Sequence, residues 1–467
     1  MTLSHNSQPG MGCLTLPLFS PMASTLSRAL FGAVSLFLVL VVPRALQGQP
    51  LPDTLTFERA AVLLQQHNPQ LRAARARAQA EGRAAEAASR YPNPTLSVSQ
   101  ERTNLPQGVD NQWYTSLRQS LRYPGEHGAR SRSADATQRA AGAMVEEERT
   151  RLYNELRHRY LDVVAAQARV DVLRSFAGAL QQAAEAAQVR YEEGDLGTFR
   201  RARMQVARAQ YENERADAER RLRDARIELA YLLLPDAQAT LDTVAALGDY
   251  RVAGTMQFRP VEVDETAALS RALRQRGAVQ SALAQVDARA ADLDAAKYRR
   301  YPSLSISAGP KRQSLPSSTT YGYTAGLSIG LPLWNGGRTR VEAERGRREA
   351  ATATLEATRR RVEVQVHDAL ERLQSYRSRI QAVSRNVLAN TDSLGVDAQF
   401  VYQQGEISLF ELLDAIDAAK QAALLRLDLT AGYLRALYDL ESAVGVGPTD
   451  DPLVVNGALR PRNASLQ

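Results

Sequence analysis

The sequence predicts a mostly α fold with a small transmembrane β part, in which a β-hairpin followed by a long helical hairpin occurs twice. Three observations carry that expectation: two landmarks that repeat in order, a hydrophobic period that switches from 3.6 to 2 and back, and helical runs too long for a globular domain. The first landmark is Tyr402-Gln-Gln-Gly405-Glu406-Ile407-Ser-Leu-Phe410-Glu411-Leu-Leu-Asp414. Its earlier counterpart is Tyr191-Glu-Glu-Gly194-Asp195-Leu196-Gly-Thr-Phe199-Arg200-Arg-Ala-Arg203, 211 residues before. Arg90-Tyr91-Pro92 returns as Arg300-Tyr301-Pro302 at an interval of 210. Two landmarks in one order at nearly one spacing mean a duplicated unit of about 200 residues.

Residues 1–48 read as a signal peptide. Arg28 precedes an apolar run from Ala29 to Val42, and small residues follow near Ala45 and Gly48, the order of a secretory leader. The run is shorter than the ~20 residues a spanning helix needs, and Met22 is a plausible start. The one cysteine, Cys13, lies before the apolar core. Lipidation after the signal, disulfides and thiol chemistry are therefore not expected. The net charge is +7, falling to +5 without Arg28 and Arg44. Its arginines alternate with acids, as in Glu214-Arg215 and Glu219-Arg220-Arg221, which describes a solvated helix face and gives no reason to expect nucleic acid.

The first repeat spans 49–234. Thr54 or Thr56 caps a helix from Phe57, and Asn68 caps a second one opened by Pro69. Tyr91-Pro92-Asn93-Pro94 ends it, because proline lacks a donor and restricts its predecessor. Alternation from Thr95 to Gln100 puts Leu96 and Val98 on one face, and a turn-rich loop leads to Trp113–Leu121, so a β-hairpin is expected at about 94–122. From about Gly128 to Glu193, Val163, Ala166, Val170, Leu173, Ala177 and Leu180 keep three-four spacing. Such a helix would be roughly 100 Å long, turning at Gly194 and returning to Leu234.

An equatorial segment, 235–263, joins the second repeat, 264–446. Its hairpin falls at about 302–332. Tyr321, Tyr323, Ala325, Leu327, Ile329 and Leu331 alternate with Gly322, Thr324, Gly326, Ser328 and Gly330, giving one apolar and one small polar face. With aromatic residues near the strand ends, that pattern suits an outer-membrane barrel with a wet interior. Another long helical hairpin turns at Gly405, and residues 447–467 form a polar tail. Four strands cannot close, and lipid does not tolerate an open edge, so several chains must pool strands.

The duplicated plan resembles the TolC-type outer-membrane efflux family, through the Tyr402–Asp414 motif, Asn68-Pro69-x-Leu71, Tyr91-Pro92-Asn93-Pro94 and Leu331-Pro332-Leu333-Trp334-Asn335-Gly336-Gly337-Arg338. The Asn-Pro, Tyr-Pro-Asn-Pro and Pro124–Arg130 forms look most like its heavy-metal cation branch. The resemblance implies a homotrimer with a twelve-stranded barrel in the outer membrane and a twelve-helix periplasmic α-barrel. It implies a passive exit duct that partners a periplasmic adaptor and an inner-membrane pump. On it, Glu411 and Asp414 line the periplasmic aperture. The first repeat departs from these acids with Arg200 and Arg203 at the matching positions, which makes the two arginines candidate gate partners. The tip turns that meet the adaptor are Tyr191, Gly194, Asp195, Leu196, Tyr402, Gly405, Glu406 and Ile407. Alternatives are a periplasmic adaptor or a secreted trimeric coiled-coil protein. No enzyme, metal site or cofactor is expected: the histidines at 5, 67, 127, 158 and 367 are scattered, and the carboxylates read as exposed helix positions.

Overall fold

The computed structural model describes residues 54–106, 108–194, 197–233, 250–334, 336–383, 398, 400–402, 404 and 406–447. The signal segment, the tail and most of the equatorial segment lie outside these. The first repeat runs β1 (Thr54–Leu55), α1 (Phe57–His67), α2 (Pro69–Ser89), β2 (Thr95–Leu105), β3 (Gly108–Leu121), α3 (Pro124–Glu192) and α4 (Thr198–Leu233). The second repeats that order as β4 (Arg251–Val252), α5 (Glu265–Gln275), α6 (Gly277–Tyr298), β5 (Ser303–Leu315), β6 (Ser318–Gly330), α7 (Arg338–Val383) and α8 (Leu409–Val444).

Local chemistry starts the helices. Thr56 accepts a hydrogen bond from the Arg59 amide, Asn68 from the amides of Gln70 and Leu71, and Asp264 from those of Thr266 and Ala267. Each oxygen satisfies donors that the first turn leaves orphaned. Asn68 is itself buried, and its Nδ2 donates to the Leu232 carbonyl at 3.2 Å. Helix α3 begins one turn earlier than the periodicity suggested, at Pro124, because proline's missing donor costs nothing in a first turn. Its 69 residues correspond to about 100 Å.

The β-hairpins form one antiparallel sheet in the order β2-β3-β5-β6. The loop expected over 104–108 is shorter than read, since strand pairing continues to Leu105↔Gly108. Pairing between β3 and β5 is interrupted at Gly309-Pro310, where Pro310 has no amide to give. A Cβ on Gly309 would lie 1.8 Å from the Thr115 carbonyl oxygen, so only glycine lets the strands approach there. Register puts Leu96, Val98, Trp113, Leu117, Ile306, Tyr321, Tyr323, Leu327 and Ile329 on one face. All are exposed, Tyr323 to 86%. The opposite face carries Ser97, Ser99, Ser116, Ser305, Ser307, Gly326 and Ser328. The apolar face is thus left exposed instead of packing into a core, unlike the inner face of a soluble sandwich.

The helices continue this layout. Helix α2 packs on α3, α3 on α6 and α6 on α7, so the wall order α2-α3-α6-α7 follows the strand order above it. Alanine dominates the buried wall positions, including Ala129, Ala136 and Ala140 of α3 and Ala284, Ala288, Ala291 and Ala295 of α6. Small side chains let backbones come close: a Cβ on Gly277 would lie 2.6 Å from the Ala143 carbonyl oxygen. Helix α4 folds back on α3, and α8 packs against both α7 and α3. At the waist, β1 and β4 pair in parallel. The Tyr160 hydroxyl donates to the Leu55 and Ala253 carbonyls, and Gln167 exchanges two hydrogen bonds with Val252. That side chain completes the edge of a strand otherwise too short to be stable.

Helices α3 and α8 run antiparallel in one register of cross-helix pairs. His158 meets Asp439 at 2.8 Å, Asp162 meets Arg435 at 2.5 Å, and Arg169 meets Asp428 at 2.6 Å. The fourth pair corrects the expectation that the carboxylates all sit on solvated faces. Arg157 and Glu441 are both buried, 2.5 Å apart, with the guanidinium over the rings of Tyr153 and Tyr438. Glu126 is buried too, bridged by Arg130 and Arg299. Periodicity hides these because α3 has neighbours on more than one side.

A buried pair is far more sensitive to losing one partner than to losing both. Glu441→Gln should therefore lower the stability of the detergent-solubilised protein by about 3–5 kcal/mol. The double variant Arg157→Met/Glu441→Leu should recover most of that loss, as thermal unfolding followed by circular dichroism would show.

Candidate functional site at the helical tips

The far ends of the two helical hairpins pack into one apolar cluster. Leu180, Ala183 and Ala187 of α3, Met204, Ala207 and Tyr211 of α4, and Leu409, Leu412 and Ile416 of α8 are buried together with Tyr402. Tyr191 and Ile407 pack against its edge. Two arginines cover the tyrosine rings, Arg190 over Tyr402 at 4.9 Å and Arg201 over Tyr191 at 4.5 Å. The repeated tyrosines thus act as tip anchors, each buried on one side and capped by a cation on the other.

Gly194 follows α3 with φ of 88°, a left-handed backbone that side chains other than glycine's disfavour. Asp195, Leu196 and Gly405 lie outside the described residues. Glu406 is exposed and Ile407 half-buried. Glu411 does more than stand on a helix face. Ser408 is the N-cap of α8 and accepts from the Glu411 amide, while the Glu411 carboxylate accepts from the Ser408 amide at 2.6 Å. This reciprocal capping box holds the Glu411 carboxyl below the usual glutamate range, first through the Ser408 backbone amide and then through its side chain. Asp414, one turn on, is exposed. Both carboxylates lie on the solvent side of α8 in a single chain. Arg200 and Arg203 are exposed as well, and among the described residues neither pairs with Glu411 or Asp414.

The structure brings forward a cluster that sequence reasoning missed. Lys420 of α8 is buried, with Nζ 3.0 Å from both Glu214 of α4 and Asp417, and 4.1 Å from the centroid of the Tyr211 ring. Burial works against its charge, but the hydrogen bonds to Glu214 and Asp417 outweigh it and raise the ammonium above the usual lysine value. The Tyr211 hydroxyl is pushed up to about 12, chiefly by burial. The cluster ties the return arm of one hairpin to that of the other. A faint signal existed: Lys420 is one of three lysines in an arginine-rich chain, and a compact ammonium fits a small cage that a planar guanidinium does not.

Among the described residues, no group of three or more His, Cys, Asp or Glu could hold a metal ion, and no helix is long and apolar enough to cross a membrane. His127 stacks on Tyr91 at 4.6 Å, and His158 serves the α3–α8 register. What the arrangement offers is a set of exposed acids and arginines at the end of a long helical wall, with a sheet that exposes an apolar face at the other end.

Comparison with known proteins agrees with that layout. Residues 268–446 match the model of the outer membrane efflux protein family. The chain is 23% identical over 360 residues to the cobalt-zinc-cadmium resistance protein CzcC of Cupriavidus metallidurans, covering 76% of this chain and 81% of that protein. It is 26% identical over 185 residues to the cation efflux system protein CusC of Escherichia coli K12, covering 38% of this chain and 40% of that one. Among solved structures, the outer-membrane channel OprN superposes with a TM-score of 0.69 at 18% identity, covering 84% of this chain and 90% of OprN.

The capping box makes the tip sensitive to acid. A depressed carboxyl contributes stability that is present above the ordinary glutamate value and lost as pH falls through its lowered value. The protection of the Leu409–Leu412 amides, measured as exchange relative to the unstructured-chain rate at each pH, should therefore fall on acidification below the usual glutamate range. Glu411→Ala should exchange fast already at neutral pH and lose that acid-dependent step.

Proposed function

The chain is similar along most of its length to outer-membrane efflux channels, and we propose that it is the exit duct of a tripartite efflux system in a Gram-negative outer membrane. In this reading it closes into a ring with further copies of itself. One observation carries it: sheet and helical wall share one order and leave the same two edges open, β2 with α2 and β6 with α7. A sheet with an apolar outer face must pair its edges in lipid. Two copies would give eight strands, an interior that side chains fill, whereas three give twelve and a lumen.

The helical edges support the same closure. Ala73, Ala76, Ala80, Ala84 and Ala87 form an exposed stripe on α2, and Thr339, Ala343, Gly346, Ala350, Ala353 and Ala357 form one on α7. Both follow the three-four spacing of a coiled-coil seam. The duplication supplies the template, since α3 and α6 already meet within the chain through Ser133–Asp292 and Arg139–Asp287. Shifted by one repeat, that seam sets α7 of one copy against α2 of the next, with Ala350 beside Ala76.

The helical wall would then extend into the periplasm, with its tips toward a periplasmic adaptor and an inner-membrane pump. Tyr191, Gly194, Asp195, Leu196, Tyr402, Gly405, Glu406 and Ile407 form the docking turns in this proposal. Three copies would bring six carboxylates, from Glu411 and Asp414, around one axis, a ring that favours cations and opposes anions. In this proposal Arg200 and Arg203 pair with them across chains and hold the aperture closed. The protein performs no chemistry in this role, and the metal-resistance and cation-efflux roles of CzcC and CusC make metal cations the favoured cargo. Residues 1–48 serve as the export signal.

Two measurements test the proposal. Ala76→Cys with Ala350→Cys should give a disulfide-linked trimer on non-reducing gels, and neither single variant should. Single-channel recording in planar bilayers should show discrete cation-selective channels. Glu411→Ala/Asp414→Ala should weaken that selectivity, and charge reversal at Arg200 and Arg203 should raise conductance. A protein that inserts in the bilayer but never conducts would overturn the duct.

A further inference from the structure

The sheet carries its charges unevenly. Its only carboxylates are Glu101 and Asp110, and register places both on the small polar face, with Lys311, Arg118, Tyr114 and Gln313. Side chains there bond to one another near the hairpin turns. Asp110 accepts from Gln112 and Gln313, the Tyr114 hydroxyl reaches Glu101 and Gln112, and Lys311 lies 5.1 Å from the Tyr114 ring centroid.

The apolar face ends differently. Gln100, Trp113, Arg312 and Tyr321 are register neighbours in a row across all four strands, and Arg102 follows Gln100 one step nearer the turn. This row caps the band formed by Leu96, Val98, Leu117, Ile306 and Leu327. Arg102 and Arg312 are exposed, and among the described residues neither makes an ion pair or a hydrogen bond to a side chain. No acid on this face of any strand is available to either. Two guanidiniums without counter-ions, at the level of an aromatic row and just beyond an apolar band, are where a membrane's headgroups would begin.

We propose that Arg102 and Arg312 bind lipid-headgroup phosphate at the rim farthest from the helices, which in the orientation given above is lipid A of the outer leaflet. The inference rests on the duct reading, because it takes the apolar face to be the lipid face. Guanidinium donates in a planar fork that matches two phosphate oxygens, and at a headgroup boundary such contacts are incompletely screened. Trp113 and Tyr321 flank Arg312 with amphipathic rings that favour the same depth. Per chain the outer face has two positive charges and none negative. That imbalance makes little sense beside a hydrocarbon or zwitterionic surface, and it suits a leaflet dense in phosphate.

The test uses full-length protein purified in detergent and incubated with lipid A or with phosphatidylcholine. Lipid retained after washing is counted by native mass spectrometry for wild type and for Arg102→Gln/Arg312→Gln, and both proteins are also recorded in planar bilayers. Wild type should retain lipid A in preference to phosphatidylcholine, and the double variant should lose lipid A retention about tenfold with unchanged conductance. Equal lipid A retention by both proteins, in samples that form channels, overturns the headgroup site and leaves the duct standing. If neither protein forms channels, the duct falls and the headgroup site falls with it.

Discussion

A strand edge has no water to turn to in lipid, and on the duct reading this constraint organises the chain from one end to the other. The sheet exposes Leu96, Leu117, Ile306 and Leu327 on one face and presents serine and glycine on the other. Once the apolar side faces outward, the backbone groups of β2 and β6 must find partners. The helical wall obeys the same geometry, because α2 and α7 hang below those two strands and carry exposed small-residue stripes. On the duct reading, ring closure is thus called for twice, by hydrogen bonding in the sheet and by close packing in the helices.

Duplication supplies the economy of the design. The seam between α3 and α6 unites two repeats within one chain, and the same surfaces, displaced by one repeat, remain available at the edges. Helix α3 bears much of the load, touching α2, α4, α6 and α8. Four charged pairs fix α8 along it in one register, from Arg157–Glu441 at the waist to Arg169–Asp428 farther toward the tip. Exposed pairs of this kind contribute little each. The buried pair specifies register, since sliding α8 by a turn would strand both charges.

At the tips, stability and the proposed gating draw on the same residues. Glu411 is part of a capping box that starts α8, and on the duct reading it also lines an aperture. These roles are compatible: a carboxylate kept ionised by its own helix start is a dependable source of negative potential. Lys420, caged by Glu214, Asp417 and Tyr211, ties the two hairpins farther up, so movement at the tip has a fixed point behind it.

What the sequence by itself determined is what short-range physics encodes. The repeat is visible as recurring Tyr-x-x-Gly and Tyr-Pro landmarks, the strands as period-two alternation, and helix starts as Thr56 and Asn68 before apolar runs. The division into an apolar and a small polar face was legible because alternation names a face. Tertiary structure alone decided which side chains meet at long range. The buried Arg157–Glu441 pair joins residues 284 apart, and the Lys420 cage joins α4 to α8. Neither has a periodic signature, because an arginine or glutamate on a helix looks the same whether that face meets water or another helix. The orphaned guanidiniums of Arg102 and Arg312 are the same lesson in reverse: only register shows that every acid of the sheet lies on the other side.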